Sequence, residues 1–256
     1  MKREIKFNSF YSSNNYTKNL EKLFADYELF RQKHFSNECI ELLKEDYPNS
    51  EIPLTHSATG ALEMVALSLD IQEGDEIILP SFTFVSTASA FALKGAKLVF
   101  VDIEMDTLGI NPELVKGAIT EKTKAIVCVH YAIDELVSIA KAHQYFEQLK
   151  ELSNIGIGLF SESKIENNYH EFYMISRSQA ERVQLIKVLK ENGIEAMFHY
   201  IPLQSSAYGS KFKYFMKNKQ TDLVSARLLR LSLHQNMDAD NVDYIASLIH
   251  KFYKNA

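Results

Sequence analysis

Apolar positions at 20, 23, 24, 27 and 30 (Leu20, Leu23, Phe24, Tyr27, Phe30) recur at helical spacing and predict an amphipathic helix over 18–31. Ser36 and Asn37 are N-cap candidates for a second helix holding Cys39, Ile40, Leu42 and Leu43, with Pro48 beyond its end. From Glu51 onward the rhythm changes to short apolar runs alternating with helical stretches. Strands are expected at 52–55, 76–79, 97–101 and 125–129, and helices at 59–69, up to Leu93, and from Pro112. Pro80 and Gly95 punctuate these runs. Strands that alternate with helices predict βαβ units and a mainly parallel sheet.

The second half reads differently. One long helix is expected over 133–152, with Leu136, Ile139, Ala140, Phe146 and Leu149 on its apolar stripe, broken by Ile155-Gly156-Ile157-Gly158. A strand at 172–175, a helix at 179–189 stopped by Asn192-Gly193, a strand at 196–200 and helices at 221–229 and 240–253 follow. This predicts a smaller C-terminal α+β unit, divided from the first part somewhere within 143–160.

Composition narrows the class. A hydrophobic share of 46% with nine Gly and five Pro excludes disordered and collagen-like chains. The net charge of −5 gives no basic footprint, so no nucleic-acid partner is expected. No apolar run reaches the roughly 18 residues that span a bilayer. The segment Met1–Asn8 lacks the apolar core of a signal peptide, which predicts a cytoplasmic location. Cys39 and Cys128 are expected to be reduced and structural.

In an open parallel sheet, ligands bind beyond the carboxyl ends of the strands. The expected strands deliver Thr55-His56-Ser57-Ala58-Thr59-Gly60, then Pro80-Ser81-Phe82-Thr83-Phe84, then Asp102, then His130-Tyr131. Hydroxyls and a glycine at a helix start suit an anion, because free N–H groups and the helix dipole both favour one. Phe82 and Phe84 offer ring faces for a flat cofactor. The alternative is that Ser57 and Thr59 merely cap a helix and the phenylalanines are core. Elsewhere, Ser161-Glu162-Ser163-Lys164 fits Ser-x-x-Lys without its companion motifs. The eight histidines show no metal-binding spacing, and His34, His143, His234 and His250 are expected at the surface. Met64, Met105, Met174 and Met197 are expected as core filler.

The combination is more specific than its parts. Residues 54–64 (Leu54-Thr55-His56-Ser57-Ala58-Thr59-Gly60-Ala61-Leu62-Glu63-Met64), residues 74–88, residues 95–103 and residues 125–132 resemble the DegT/DnrJ/StrS family of sugar-nucleotide aminotransferases. Phe198-His199-Tyr200-Ile201-Pro202-Leu203 and Arg227-Leu228-Leu229-Arg230-Leu231 resemble its C-terminal motifs. The resemblance implies a truncated α/β fold-type I transferase: a mainly parallel sheet with flanking helices plus a smaller C-terminal α+β domain. Residues 1–144 would be the N-terminal part of the large cofactor-binding domain and 145–256 the small domain. It further implies pyridoxal 5'-phosphate as cofactor, a sugar nucleotide and glutamate as substrates, and a homo-oligomer or an intact paralogue as partner. Carried over by motif, Ala58, Thr59 and Gly60 would hold the cofactor phosphate and Phe84 would stack on the pyridine ring. His130, His199 and Tyr200 would lie near the sugar nucleotide. Gln204 stands where the family often has His.

Two motifs of the family do not occur here. A strand ending Glu-Asp-Ala-Ala-Gln supplies the Asp that pairs with the pyridine nitrogen, and Ser-Phe-x-x-x-Lys supplies the Schiff-base lysine. This chain passes directly from 139–144, which resembles the helix before the Asp strand, to 145–150, which resembles a helix far downstream. Without both groups, no competent site is expected in the isolated chain, and the alternatives are a non-catalytic protein that binds pyridoxal phosphate, sugar nucleotide or a paralogue, or a deletion remnant without a role. Lys141 and Lys164 are expected to be solvated surface lysines. Loss of interior strands is expected to expose sheet edges and apolar faces, favouring oligomerisation.

Overall fold

In a computed structural model, the chain is described over residues 4–10, 13–31, 33–129, 139–159, 172–215 and 219–254. The elements are, in order, α1 (Asn14–Ala25), α2 (Tyr27–Arg31), α3 (His34–Asp46), α4 (Ala58–Ser68), β1 (Glu76–Pro80), α5 (Val85–Ala92), β2 (Lys97–Val101), α6 (Pro112–Ala118) and β3 (Thr123–Ile126). They continue with α7 (Ile139–Leu149), β4 (Gly158–Leu159), β5 (Phe172–Ile175), α8 (Gln179–Glu191), β6 (Lys213–Phe215), α9 (Gln220–Arg227), β7 (Leu228–Leu231) and α10 (Ala239–Lys254).

The larger sheet has the order β3-β1-β2-β6 and is parallel throughout. Both of its faces are covered, which is why β1 reads as an unbroken apolar run. Ile77, Leu79, Leu98 and Phe100 pack with Ala66 of α4 and Phe91 of α5. On the other face, Ile78, Val99 and Val101 pack on Ala118, with Leu114 and Val115 of α6 alongside. A smaller antiparallel sheet, β4-β5-β7, carries the C-terminal unit with α7, α8 and α10. The α/β class, the parallel sheet with flanking helices and the truncated large sheet are thus those the sequence predicts.

Several elements differ from the sequence pattern, each for a local reason. The helix over 18–31 breaks at Asp26, whose backbone is extended and whose Oδ1 accepts the Glu28 N–H at 3.0 Å, capping α2. Helix α3 begins at His34, so Ser36 and Asn37 lie inside its first turn rather than capping it. Residues 52–55 form no strand: β1 is flanked by β2 and β3, and β2 by β6, leaving no inner edge to join. Residues 196–200 form only an antiparallel bridge from Met197 to Arg230, on the edge of β7 away from β5. Leu228 and Leu229, expected to end a helix, start β7 instead. Strand β3 stops at Ile126, and Cys128 beyond it is exposed, as is Cys39 on α3, so neither thiol is a core residue.

Helix α7 runs unbroken across residues 144 and 145 and packs against α10; the earlier part of the helix expected over 133–152 lies outside the described residues. Its buried stripe is Ala142, Tyr145 and Leu149, whereas Ala140 is exposed. Tyr145 replaces the expected pattern because its ring stacks on Phe172 at 5.0 Å while its hydroxyl donates to the Ser232 carbonyl at 3.1 Å. A tyrosine so buried needs such an acceptor. Met174 is fully buried as expected, but Met197 is 46% exposed.

One carboxylate joins the large sheet to the C-terminal elements. Asp102, directly after β2, is 1% exposed. Its Oδ1 accepts from the Thr221 N–H and hydroxyl, both at 2.8 Å, and from the Tyr214 hydroxyl at 3.1 Å; its Oδ2 accepts the Gln220 N–H at 3.0 Å. The group thus sits on the first turn of α9, where the helix dipole favours an anion. Burial pushes its pKa up, but the backbone and side-chain donors of Thr221, with the Gln220 and Ile103 amides, outweigh this and leave it below the ordinary aspartate value. A second tie is made by the Leu203 N–H, which donates to the Ser81 carbonyl at 3.0 Å after β1. The turn that presents Leu203 closes on Gly209, where an added Cβ would stand 1.9 Å from the Leu203 carbonyl oxygen.

Replacing Asp102 by Ala is expected to cost about 2–4 kcal/mol at neutral pH, since it strands buried donors. Because the folded pKa is depressed, this stabilisation is complete above about pH 4, the ordinary aspartate range, and fades as pH falls through the lower folded value. Thermal melts of wild type and Asp102→Ala should therefore converge toward acid; a gap of constant size would contradict this account. Two glycines should respond oppositely. Gly209→Ala is expected to lose roughly 1–3 kcal/mol by overpacking. Gly117→Ala in α6, where nothing lies within 4 Å of the new Cβ, is expected to gain about 0.5–1 kcal/mol. Urea titrations of both variants check the signs.

Candidate active site

Helix α4 returns from the carboxyl end of the sheet to its amino end, and α5 leaves the carboxyl end after β1, so both helices begin at the same end. They also pack against each other. Ser57 is the N-cap of α4, its Oγ accepting the Gly60 N–H at 3.1 Å. The capping reading of Ser57 is therefore correct, while Thr59 caps nothing and lies in the first turn. Among the described residues, no acceptor is paired with the N–H groups of Ala58 and Thr59. The His56 ring lies over Gly60, its Cε1 3.0 Å from where a Cβ would stand. Exposed amides at a helix start, with a glycine beneath a movable imidazole, make an anion cradle of suitable chemistry.

Phe84 is the N-cap residue of α5 and is 56% exposed, whereas Phe82, two residues earlier, is 1% exposed and belongs to the core. Only Phe84 presents a ring face to solvent. Tyr200 comes to both rings from the C-terminal unit, at 5.9 Å from Phe82 and 6.2 Å from Phe84, edge-on in each case. The Ser225 hydroxyl donates to the Tyr200 carbonyl at 2.6 Å and helps fix that segment. His199 stacks on Tyr200 at 4.9 Å and meets the edge of Phe7 at 6.0 Å. An Arg230 N–H donates to His199 Nδ1. A guanidinium can only donate, so Nδ1 is the acceptor and the neutral ring carries its proton on Nε2.

The structure thus brings Phe84, His199 and Tyr200 together and sets Ala58, Thr59 and Gly60 at the same end of the sheet. His130 lies outside the described residues. Asp102, although at a strand's carboxyl end, is buried and engaged by α9, Tyr214 and the Ile103 amide. Lys141 is not a free surface lysine: its ammonium donates to the carbonyls of His234 and Gln235, each at 3.2 Å. Lys164 lies outside the described residues. Of the histidines expected at the surface, His34 and His143 are exposed. His234 and His250 are half-buried, bonded to the Lys6 and Gln148 carbonyls, and burial holds His234 below the ordinary histidine pKa. Gln204 turns its amide to Asp222 at 2.9 Å. The sequence pattern did not disclose the Tyr200–Phe82–Phe84 contact, the Arg230–His199 pair or the Ser81–Leu203 tie. Each joins residues more than a hundred positions apart or across two elements, and no local spacing encodes that.

A pyridoxal phosphate group can be tested against these residues. The phosphate end fits: free amides, a glycine and the helix start are in place. The reacting end does not. The two family motifs that carry the lysine and the aspartate are absent from the sequence, and Lys141 is tied to carbonyls of the C-terminal unit.

Comparison with known proteins agrees with this fold. The structure of NtdA from Bacillus subtilis with bound cofactor PMP superposes with a TM-score of 0.73 at 17% identity, over 85% of this chain and 77% of that one. A DegT DnrJ EryC1 StrS aminotransferase of Brucella abortus gives 0.72 at 16% identity, over 85% and 90%. PseC of Helicobacter pylori, an aminotransferase involved in the biosynthesis of pseudoaminic acid, gives 0.63 at 15%, over 78% and 86%. The model of the DegT/DnrJ/EryC1/StrS aminotransferase family matches residues 54–144 and 133–250, two stretches that overlap where α7 begins. They span most of the chain, including the α4 cradle, Phe84 and the Tyr200 segment, and the chain therefore belongs to the DegT/DnrJ/EryC1/StrS aminotransferase family.

Proposed function

We propose that this chain descends from a sugar-nucleotide aminotransferase and keeps the anion cradle and aromatic wall of that site without the groups that turn it over. The observation that carries the reading is the first turn of α4, with its Ala58 and Thr59 amides open, at the same sheet end as the exposed Phe84 ring. Ala58, Thr59 and Gly60 would hold the phosphate of pyridoxal 5'-phosphate, and Phe84 would cover its ring. His199 and Tyr200, with His130, would line the sugar-nucleotide side. Bound in an intact enzyme of this kind, the cofactor is an electron sink for amino transfer. Here the chain's residues would bind and orient only, because the motifs that supply the family's lysine and aspartate do not occur in the sequence.

The ancestral reaction is taken as transfer from glutamate to a dTDP-4-keto-6-deoxy-hexose. The motif wording is read as resembling that of the dTDP-4-amino-4,6-dideoxygalactose transaminases. Residues 1–144 would supply the cofactor side and 145–256 the small domain, with α7 as their joint. No described helix is long and apolar enough to cross a membrane. The role proposed for the chain is cytoplasmic and non-catalytic, binding cofactor, sugar nucleotide or an intact paralogue.

Absorbance spectra with added pyridoxal phosphate, before and after borohydride, together with intact mass, test the loss of chemistry. No band at roughly 410–430 nm and no single-site covalent adduct are expected. A specific adduct would show that a lysine of this chain has taken over the anchoring role. Calorimetric titration with pyridoxal phosphate tests the cradle. Reversible binding is expected, weakened at least about tenfold by Gly60→Val and unchanged by Lys141→Ala. Equal binding by Gly60→Val would place the phosphate elsewhere.

A further inference from the structure

Residues 4–10 lie as a strap along residues 193–195 of the C-terminal unit. Ile5 forms a parallel bridge with Ile194: its N–H donates to the Gly193 carbonyl at 2.8 Å, and its carbonyl accepts the Glu195 N–H at 2.9 Å. Its side chain is buried in the core of that unit. The residues after it are held by side chains. Glu195 Oε2 accepts the Phe7 N–H at 2.9 Å, and the Asn236 amide donates to the Ser9 hydroxyl at 2.8 Å and to the Phe10 carbonyl at 3.0 Å. So fixed, the strap sets the Phe7 ring 5.1 Å from the Arg230 guanidinium and edge-on to His199 at 6.0 Å. Phe7 thereby covers the Arg230–His199 pair on which Tyr200 stacks.

One more bond holds the strap, and it comes from a titratable ring. His234 Nε2 lies 3.2 Å from the Lys6 carbonyl. A carbonyl only accepts, so Nε2 carries the proton and Nδ1 is the bare nitrogen of a neutral imidazole. That Nδ1 is buried and meets no partner among the described residues. A second proton there would find no acceptor. The charge nearest the ring is also positive: the Lys141 ammonium of α7 donates to the His234 and Gln235 carbonyls, each at 3.2 Å. The carboxylates of the neighbourhood, Glu4 on the strap and Glu195 beside it, face the Lys6 ammonium.

We propose that residues 4–10 are a pH-sensitive cover over the Arg230–His199 pair, latched by neutral His234 and loosened when that ring takes a second proton from solvent. The doubly protonated ring has to turn Nδ1 toward water, and turning gives up the bond to Lys6. Burial holds His234 below the ordinary histidine pKa, against the pull of the Lys6 carbonyl and aided by the Lys141 charge. Docking of the strap is therefore strongest above about pH 6.5, the value of a free histidine. Below it docking weakens, by at most about tenfold per pH unit, until the docked ring protonates as well. The latch itself is independent of the transferase reading. That the uncovered pair borders a sugar nucleotide rests on that reading.

Amide hydrogen exchange on the full chain, corrected for intrinsic rates, tests this. The Ile5 and Phe7 amides both donate across the strap's contact and report its opening directly. Their protection is expected to fall about three- to tenfold between about pH 7 and about pH 5.5. The Arg230 amide, which donates to the Met197 carbonyl at 2.7 Å, serves as the control and is expected to keep its protection. His234→Gln, whose side chain takes no proton, is expected to remove the pH response of both strap amides while Arg230 stays protected. His199→Gln, which removes the other titratable ring beside Phe7, is expected to retain that response. Protection of Ile5 and Phe7 that does not change with pH overturns the proposal. So does a response that survives His234→Gln, one that is lost with His199→Gln, or an equal fall at Arg230, which would report a general loosening in acid.

Discussion

The Asp102 carboxylate is the point through which the parallel sheet and the C-terminal elements are held in one arrangement. It ends β2, receives the first turn of α9, and sits beside β6, whose Phe215 carbonyl accepts the Asp102 N–H at 2.8 Å. A buried charge is costly unless its lone pairs are met, and here donors converge on it from the backbone and from Thr221 and Tyr214. Burial, followed by the nearby Asp102 charge, holds the Tyr214 phenol above its ordinary pKa, so the phenol remains a donor. The Ser81–Leu203 tie adds a second junction on the neighbouring strand. Between them these bonds set the Tyr200 segment against Phe82 and Phe84.

That arrangement is compatible with the proposed reading, in which the surroundings of the site stand apart from the two motifs the sequence lacks. The cradle depends on α4, a helix with its own cap. The aromatic wall depends on β1, α5 and the Tyr200 segment. None of these needs the strand and loop that bear the aspartate and the lysine in the family. On the proposed reading, the catalytic groups are separable from this scaffold because the motifs that bear them belong to a stretch the resemblance does not find here. The helix at the junction shows how the remaining ends meet. Tyr145, Phe172 and the Ser232 carbonyl give α7 a buried partner set wholly within the C-terminal unit.

Charge pairs contribute little to this frame. Lys6–Glu4, Lys44–Glu41 and Lys116–Glu113 are exposed and local, where ion pairs are worth about 0–1 kcal/mol. Arg177 with Glu181 is more consequential, because Glu181 is nearly buried and also accepts the Arg177 backbone N–H at 2.7 Å. Arg182, beside it, is buried and donates to the Ser225 carbonyl, while its guanidinium lies 4.5 Å from the Phe198 ring centroid. Ser225 in turn holds Tyr200. The aromatic wall is therefore backed by hydrogen bonds rather than by surface charge.

By itself the sequence determined the alternation of strands and helices, the apolar runs of β1 and β2, and the family through its motifs. It also shows that the Glu-Asp-Ala-Ala-Gln and Ser-Phe-x-x-x-Lys motifs of the family do not occur, and a motif absent from the sequence is absent from any fold of it. These are local facts: periodicity and identity at a position. Tertiary structure decided the rest. It left 52–55 unpaired, placed Asp102 under α9, tied Lys141 to two carbonyls, and separated exposed Phe84 from buried Phe82. The reason is that strand pairing, burial and hydrogen-bond partners are set by residues distant in the chain, and spacing along a sequence carries no record of which distant residue arrives.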